Sequence, residues 1–141
     1  MAARAIFLVL LAVALAACEP AAPRKVLDRD ELATQLRQLA SIGSEASLFA
    51  REAAAGHLNA AFPWVHQQAL AAEAGRIANA LALPAPDALR GPQQDALELA
   101  ARMQAELTRV APALRQPGEL PALAERFTAL QAQARRLGAA P

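Results

Sequence analysis

The chain has one cysteine, one tryptophan and no tyrosine in 141 residues, and aromatics make up only 4% of it. A lone cysteine excludes an internal disulfide, a Cys-rich zinc site and the Cys-x-x-Cys-His that covalent haem requires. Glu-x-x-His, which di-metal carboxylate bundles place on each of two helices, does not occur. Neither does Gly-x-Ser-x-Gly, so no local hydrolase motif stands out. The formal net charge is only +1, which lacks the basic excess of a nucleic-acid-binding surface. Few aromatics beside abundant alanine favour helix over sheet.

What is present begins at the N-terminus. Met1 to Arg4 is a short charged start, Ala5 to Ala17 is an apolar run of 13 residues, and Leu15-Ala16-Ala17 leads into Cys18. This is the pattern of a secretory signal. The run is too short for a comfortable membrane span, which takes about 20 helical residues. Leu15-Ala16-Ala17-Cys18 resembles the lipobox of bacterial lipoproteins. The resemblance implies that residues 1–17 are removed, that Cys18 becomes the acylated first residue, and that membrane lipid is the first partner. Several acyl chains anchor far better than one, since each buried CH₂ contributes ~0.8 kcal/mol. Glu19 stands where an aspartate commonly retains such proteins in the inner membrane, and this favours the outer membrane. Losing Arg4 with the signal leaves 13 basic against 13 acidic residues, a neutral mature chain.

Residues 18–26 read as a tether, extended by Pro20 and Pro23. Residues 27–141 read as one helical domain, of a length suited to a single modest core. Its first helix starts at Asp28, with Glu31 placed to complete a capping box and Leu27 with Leu32 to form a hydrophobic staple. A seam of Leu32, Leu36, Leu39, Gly43, Ala46, Ala50 and Ala53 follows, and Gly56 is placed to end the helix in the left-handed conformation.

A second helix starts at Asn59 or Phe62, carries His66, Leu70, Ala74, Ile77 and Leu81 on its stripe, and stops at Pro84 and Pro86. A third starts at Asp87 or Gly91-Pro92 and runs through Ala96, Ala100, Met103, Leu107, Val110 and Leu114, with Pro112 expected to kink or end it. Glu98 and Arg102, one turn apart on its outside, are expected to pair. A fourth runs from Leu120 to Leu137, with Gly138 as its stop. The expected fold is an all-α, antiparallel up-down-up-down four-helix bundle.

Four groups of residues invite a chemical reading. His66 lies on an apolar stripe with Glu73 two turns later, and with Glu45, Glu52 or His57 it suggests a metal site. With Met103 it suggests axial ligation of a b-type haem. Partial burial with a hydrogen bond explains His66 more simply. His57, beside Gly56, reads as exposed and favourably placed near a helix C-terminus. Ser41, Ser44 and Ser47 recur at threes along the first helix and read as packing residues. Phe62-Pro63-Trp64-Val65 reads as a cap on the end of the core, because large side chains are scarce. Its alternative is a docking surface built on Phe62 and Trp64 for a partner protein or the membrane interface.

No convergent titratable cluster emerges, so neither an enzyme nor a cofactor is expected. The residues point to a lipid-anchored, periplasm-facing binding or scaffolding module whose expected partners are membrane lipid and an envelope protein, with no nucleic acid. The second reading is a haem or metal carrier using His66. The third is a sensor or inhibitor holding an apolar small molecule beside the small residues of the first helix.

Overall fold

Helix α1 (Arg29–Ala54, 26 residues) opens the part of the chain that the computed structural model describes, residues 25–58 and 62–139 without the side chains of Phe62 and Pro63. The signal, Cys18 and nearly all of the tether therefore lie outside the described residues. Among the described residues no helix is long and apolar enough to cross a membrane.

Asp28 caps α1 as its position predicts: its Oδ1 accepts the Glu31 backbone N–H at 2.8 Å. Glu31 does not complete the box. Its carboxylate accepts from Gln35 Nε2 at 2.9 Å and pairs with Lys25 Nζ at 3.6 Å, because a buried Gln35 offers a donor one turn on. Leu27 and Leu32 are both buried. The other end is a Schellman motif. Gly56 has φ 74°, its N–H donates to Ala53 O at 3.1 Å, and the His57 N–H donates to Glu52 O at 3.0 Å. A side-chain contact between His57 and Glu52, 2.9 Å, takes the place of the apolar contact usual in that motif.

Helix α2 (Phe62–Leu81) buries Leu70, Ala74, Ile77 and Leu81, and a 3₁₀ turn at Asp87–Leu89 leads directly into α3 (Arg90–Thr108). The α3 stripe is buried as its spacing predicts, but the helix does not continue to Pro112. It breaks at Arg109 and resumes as the short α4 (Val110–Arg115). The ring of a proline collides with the carbonyl four residues earlier, here Thr108, so the break falls upstream of Pro112 and the proline sits in a new first turn. A second 3₁₀ turn, Pro117–Glu119, introduces α5 (Leu120–Ala139), which buries Leu120, Leu123, Ala124, Phe127, Leu130 and Ala134. Gly138 is not the stop expected of it. It is helical, and a Cβ there would lie 3.4 Å from Leu36 Cβ of α1, so its role is close approach between helices. No strand occurs among the described residues.

The four long helices form a bundle around one core. Helix α1 lies between α5 and α2, and α3 completes the ring. The α1–α5 seam is the closest. A Cβ on Gly43 would fall 3.0 Å from Gln131 Cβ and 3.1 Å from Met103 Cε, so any side chain there would require its neighbours to shift. Buried Ser47 meets Thr128 across this seam, Oγ to Oγ1, at 2.9 Å. Thr128 gives its own proton to Ala124 O at 3.0 Å, which leaves Ser47 as the donor.

Two glutamines close the α2–α3 pair reciprocally. Gln93 Nε2 of α3 donates to Leu81 O (2.7 Å) and Leu83 O (2.8 Å) at the end of α2. Gln67 Nε2 of α2 donates to Leu107 O near the end of α3 at 3.1 Å. Each glutamine so supplies a side-chain donor to carbonyls at or just past the end of the neighbouring helix.

Candidate functional site

Two sites follow from the sequence, one around His66 and one at the start of α2. The stripe of α2 carries His66 toward α1, where it is half-buried with 21% of its side chain exposed. Its ring lies 5.2 Å from that of Phe49, tilted by 41°. Its Nε2 stands 3.4 Å from Glu45 Oε1, an exposed carboxylate one turn before Phe49. The helical spacing puts 45 and 49 on one face of α1, so a single imidazole stacks on one and pairs with the other.

Glu73 lines the same surface depression as His66 and Glu45, together with Ser41 and Gln38, but its carboxylate is held by Arg76 one turn on. Glu52 and His57 pair with each other at the end of α1. Of the residues suggested for a metal, the structure thus brings His66 to Glu45, with Glu73 nearby. Among the described residues no group of three or more His, Cys, Asp or Glu side chains is placed to hold a metal ion. Met103, the other axial haem ligand considered, is wholly buried where a Cβ on Gly43 would point. What remains at His66 is a partly solvated imidazole–carboxylate pair, of a kind worth about 0–1 kcal/mol.

The three serines separate. Ser47 packs as expected, whereas Ser41 and Ser44 are exposed. Their spacing of three drifts around a helix with 3.6 residues per turn, so Ser47 is buried in the α5 seam while Ser41 and Ser44 line an open depression at its edge.

The start of α2 departs from the core-cap reading at Trp64 and Val65, the two residues of the cluster whose side chains are described. Trp64 is 60% exposed and Val65 63% exposed, so neither closes the core. Leu58 packs there instead, partly buried against the core cluster. Phe62 begins α2, and its side chain lies outside the described residues. Trp64 and Val65 are thus large apolar side chains left exposed on a chain that buries Phe49 and Phe127.

The Glu98–Arg102 pair is not formed. Glu98 Oε1 accepts from Gln94 Nε2 at 3.1 Å instead. No sequence rule separates these partners, because Gln94 and Arg102 both stand four residues from Glu98. Searches among known protein families, curated proteins and solved structures find no match to this chain.

Proposed function

We propose that this chain is an envelope lipoprotein, acylated at Cys18 and facing the periplasm from the outer membrane, whose helical domain is a non-catalytic binding or scaffolding module. The antiparallel up-down-up-down course of the bundle is part of this reading. The observation that carries it is the exposure of Trp64 and Val65 at one particular end. Leu27, next to the tether, donates its N–H to Pro84 O at 2.8 Å, beyond the last turn of α2. Trp64 stands in the first turn of α2, at that helix's opposite end. A helix of 20 residues spans roughly 30 Å at ~1.5 Å per residue, so Trp64 stands at the end of α2 remote from the tether. An apolar patch remote from its own membrane is suited to a protein partner, and tryptophan is a frequent anchor of such contacts.

The test uses protein made in its own host with a photo-crosslinking amino acid at position 64 or, as control, at exposed position 37. A discrete adduct with one envelope protein from position 64 alone is the expected result, on a chain whose intact mass begins at acylated Cys18. The same adducts from both positions would overturn the docking surface. A metal or organic ligand released on denaturation would transfer the function to the carrier reading, and an unacylated Cys18 would remove the anchor.

A further inference from the structure

Between α3 and α5, on the side of the bundle away from His66, runs a groove of about 520 Å³ walled by arginine. Arg102 and Arg109 stand on the α3 side, Arg126 and Arg136 on α5, and Ala105 with Ala129 lines the space between them. We infer that this groove is the docking site for an acidic amphipathic helix of a partner protein. The surface is distinct from the Trp64 end and goes beyond the reading above.

Charge is the first argument. One carboxylate, Glu106, serves the groove. It accepts from Arg126 Nε at 2.8 Å and lies 3.8 Å from Arg109 Nε. Arg102 and Arg136 have no carboxylate within ion-pair distance among the described residues, since Glu98 is turned to Gln94. Four guanidinium groups thus face one carboxylate on a chain whose formal charge is only +1. The cationic excess is local.

Spacing is the second. Arg102 and Arg109 are seven residues apart, close to two full turns, or roughly 10 Å along the groove. The Arg126–Glu106 bond sets the level of α5 against α3. Arg136 then falls about ten residues further along the other wall, and the four charges extend over roughly 20 Å. A compact phosphate or a single lipid headgroup needs donors converging on one point; these are strung out in a line. A helix with acidic residues on both flanks of an apolar stripe meets both walls at once.

The lining is the third. Alanines at 105 and 129 let a helix backbone approach closely, while flanking arginines pair with carboxylates in the manner of coiled-coil flanking positions. Arginine suits this better than lysine, because its planar fork takes a carboxylate by two parallel bonds. Thirteen of the 14 basic residues in the chain are arginine, Lys25 being the exception.

The experiment titrates the full mature chain with a synthetic three-heptad helical peptide that carries an apolar stripe flanked by glutamates. Parallel titrations use the same peptide with glutamine for glutamate, linear polyphosphate, and phosphatidylglycerol vesicles. Saturable binding of the glutamate peptide is expected, at least tenfold tighter than of the glutamine peptide and weaker at higher salt. R102Q/R136Q should weaken it at least tenfold with the circular dichroism spectrum and Tm unchanged, and R102E/R136E should abolish it. R37E and W64A should leave it as it is. Equal binding by R102Q/R136Q overturns the inference, as does no binding of the glutamate peptide at all. Polyphosphate or vesicles binding tighter than the peptide, with the same arginine dependence, reassigns the groove to phosphate and overturns the helix. Loss of binding in W64A would place the peptide at the other surface and overturn the groove alone.

Discussion

Helix α5 packs against α1 on one side and α3 on the other, and the two seams are built on opposite plans. Toward α1, Gly43, Gly138 and Ala134 let the backbones close up against larger neighbours such as Leu36 and Gln131, and Ser47 bonds directly to Thr128. Toward α3 the side chains are long and cationic, and their heads line an open groove. Close-packed small residues fix geometry because nothing there can move without a clash. Solvated arginines fix little in the isolated domain, since exposed pairs contribute about 0–1 kcal/mol. Stability and recognition are thus separated across the width of one helix.

The heaviest blow to this contrast removes what both seams share. Among the described residues Phe127 is the one fully buried aromatic ring, and Phe127→Ala should cost about 3–5 kcal/mol, lowering Tm by roughly 10 °C or more in calorimetry. Within the α1 seam the two glycines should then behave differently. Gly43→Leu forces a side chain against Gln131 and Met103 and should cost about 1–3 kcal/mol or more. Gly138→Ala meets Leu36 Cβ at an ordinary 3.4 Å and should gain about 0.5–1 kcal/mol from the chain entropy that glycine loses on folding. A smaller effect is the polar pin. A double-mutant cycle of Ser47→Ala and Thr128→Val should give a coupling of about 1 kcal/mol in urea unfolding. Smallest of all, Arg102→Ala and Arg136→Ala should each change stability by less than about 0.5 kcal/mol. A loss above ~1 kcal/mol at either arginine would dissolve the distinction between the seams.

The stripes that build the bundle were legible because helical period and burial are tied: Leu70, Ala74, Ile77 and Leu81 are spaced for one face and all lie inside. Gly56 was legible for an equally local reason, since a left-handed residue at a helix end selects glycine. Features decided by competition between neighbours were not. Trp64 read as core because large side chains are scarce, yet scarcity does not say which of them an end will bury. Glu98 had two equidistant candidates and took the amide. Pro112 signalled a break but not its position, because its clash acts on a carbonyl a full turn earlier. The arginine groove was invisible for a related reason. Its walls are contributed by segments up to 34 positions apart, and a near-neutral total conceals them.

Leu27, buried at the base of α1 and bonded through its N–H to Pro84 O, has a mechanical meaning as well. Any pull on the chain ahead of Lys25 reaches this residue first. The load divides there between the first turn of α1 and the loop that joins α2 to α3, instead of peeling α1 open from its end. Gln93 ties that same loop to α3, so tension is shared by three helices before any one of them unravels. The base of the bundle is thus tied at two points, the first turn of α1 and the loop after α2, while Trp64 stands at the opposite end of α2.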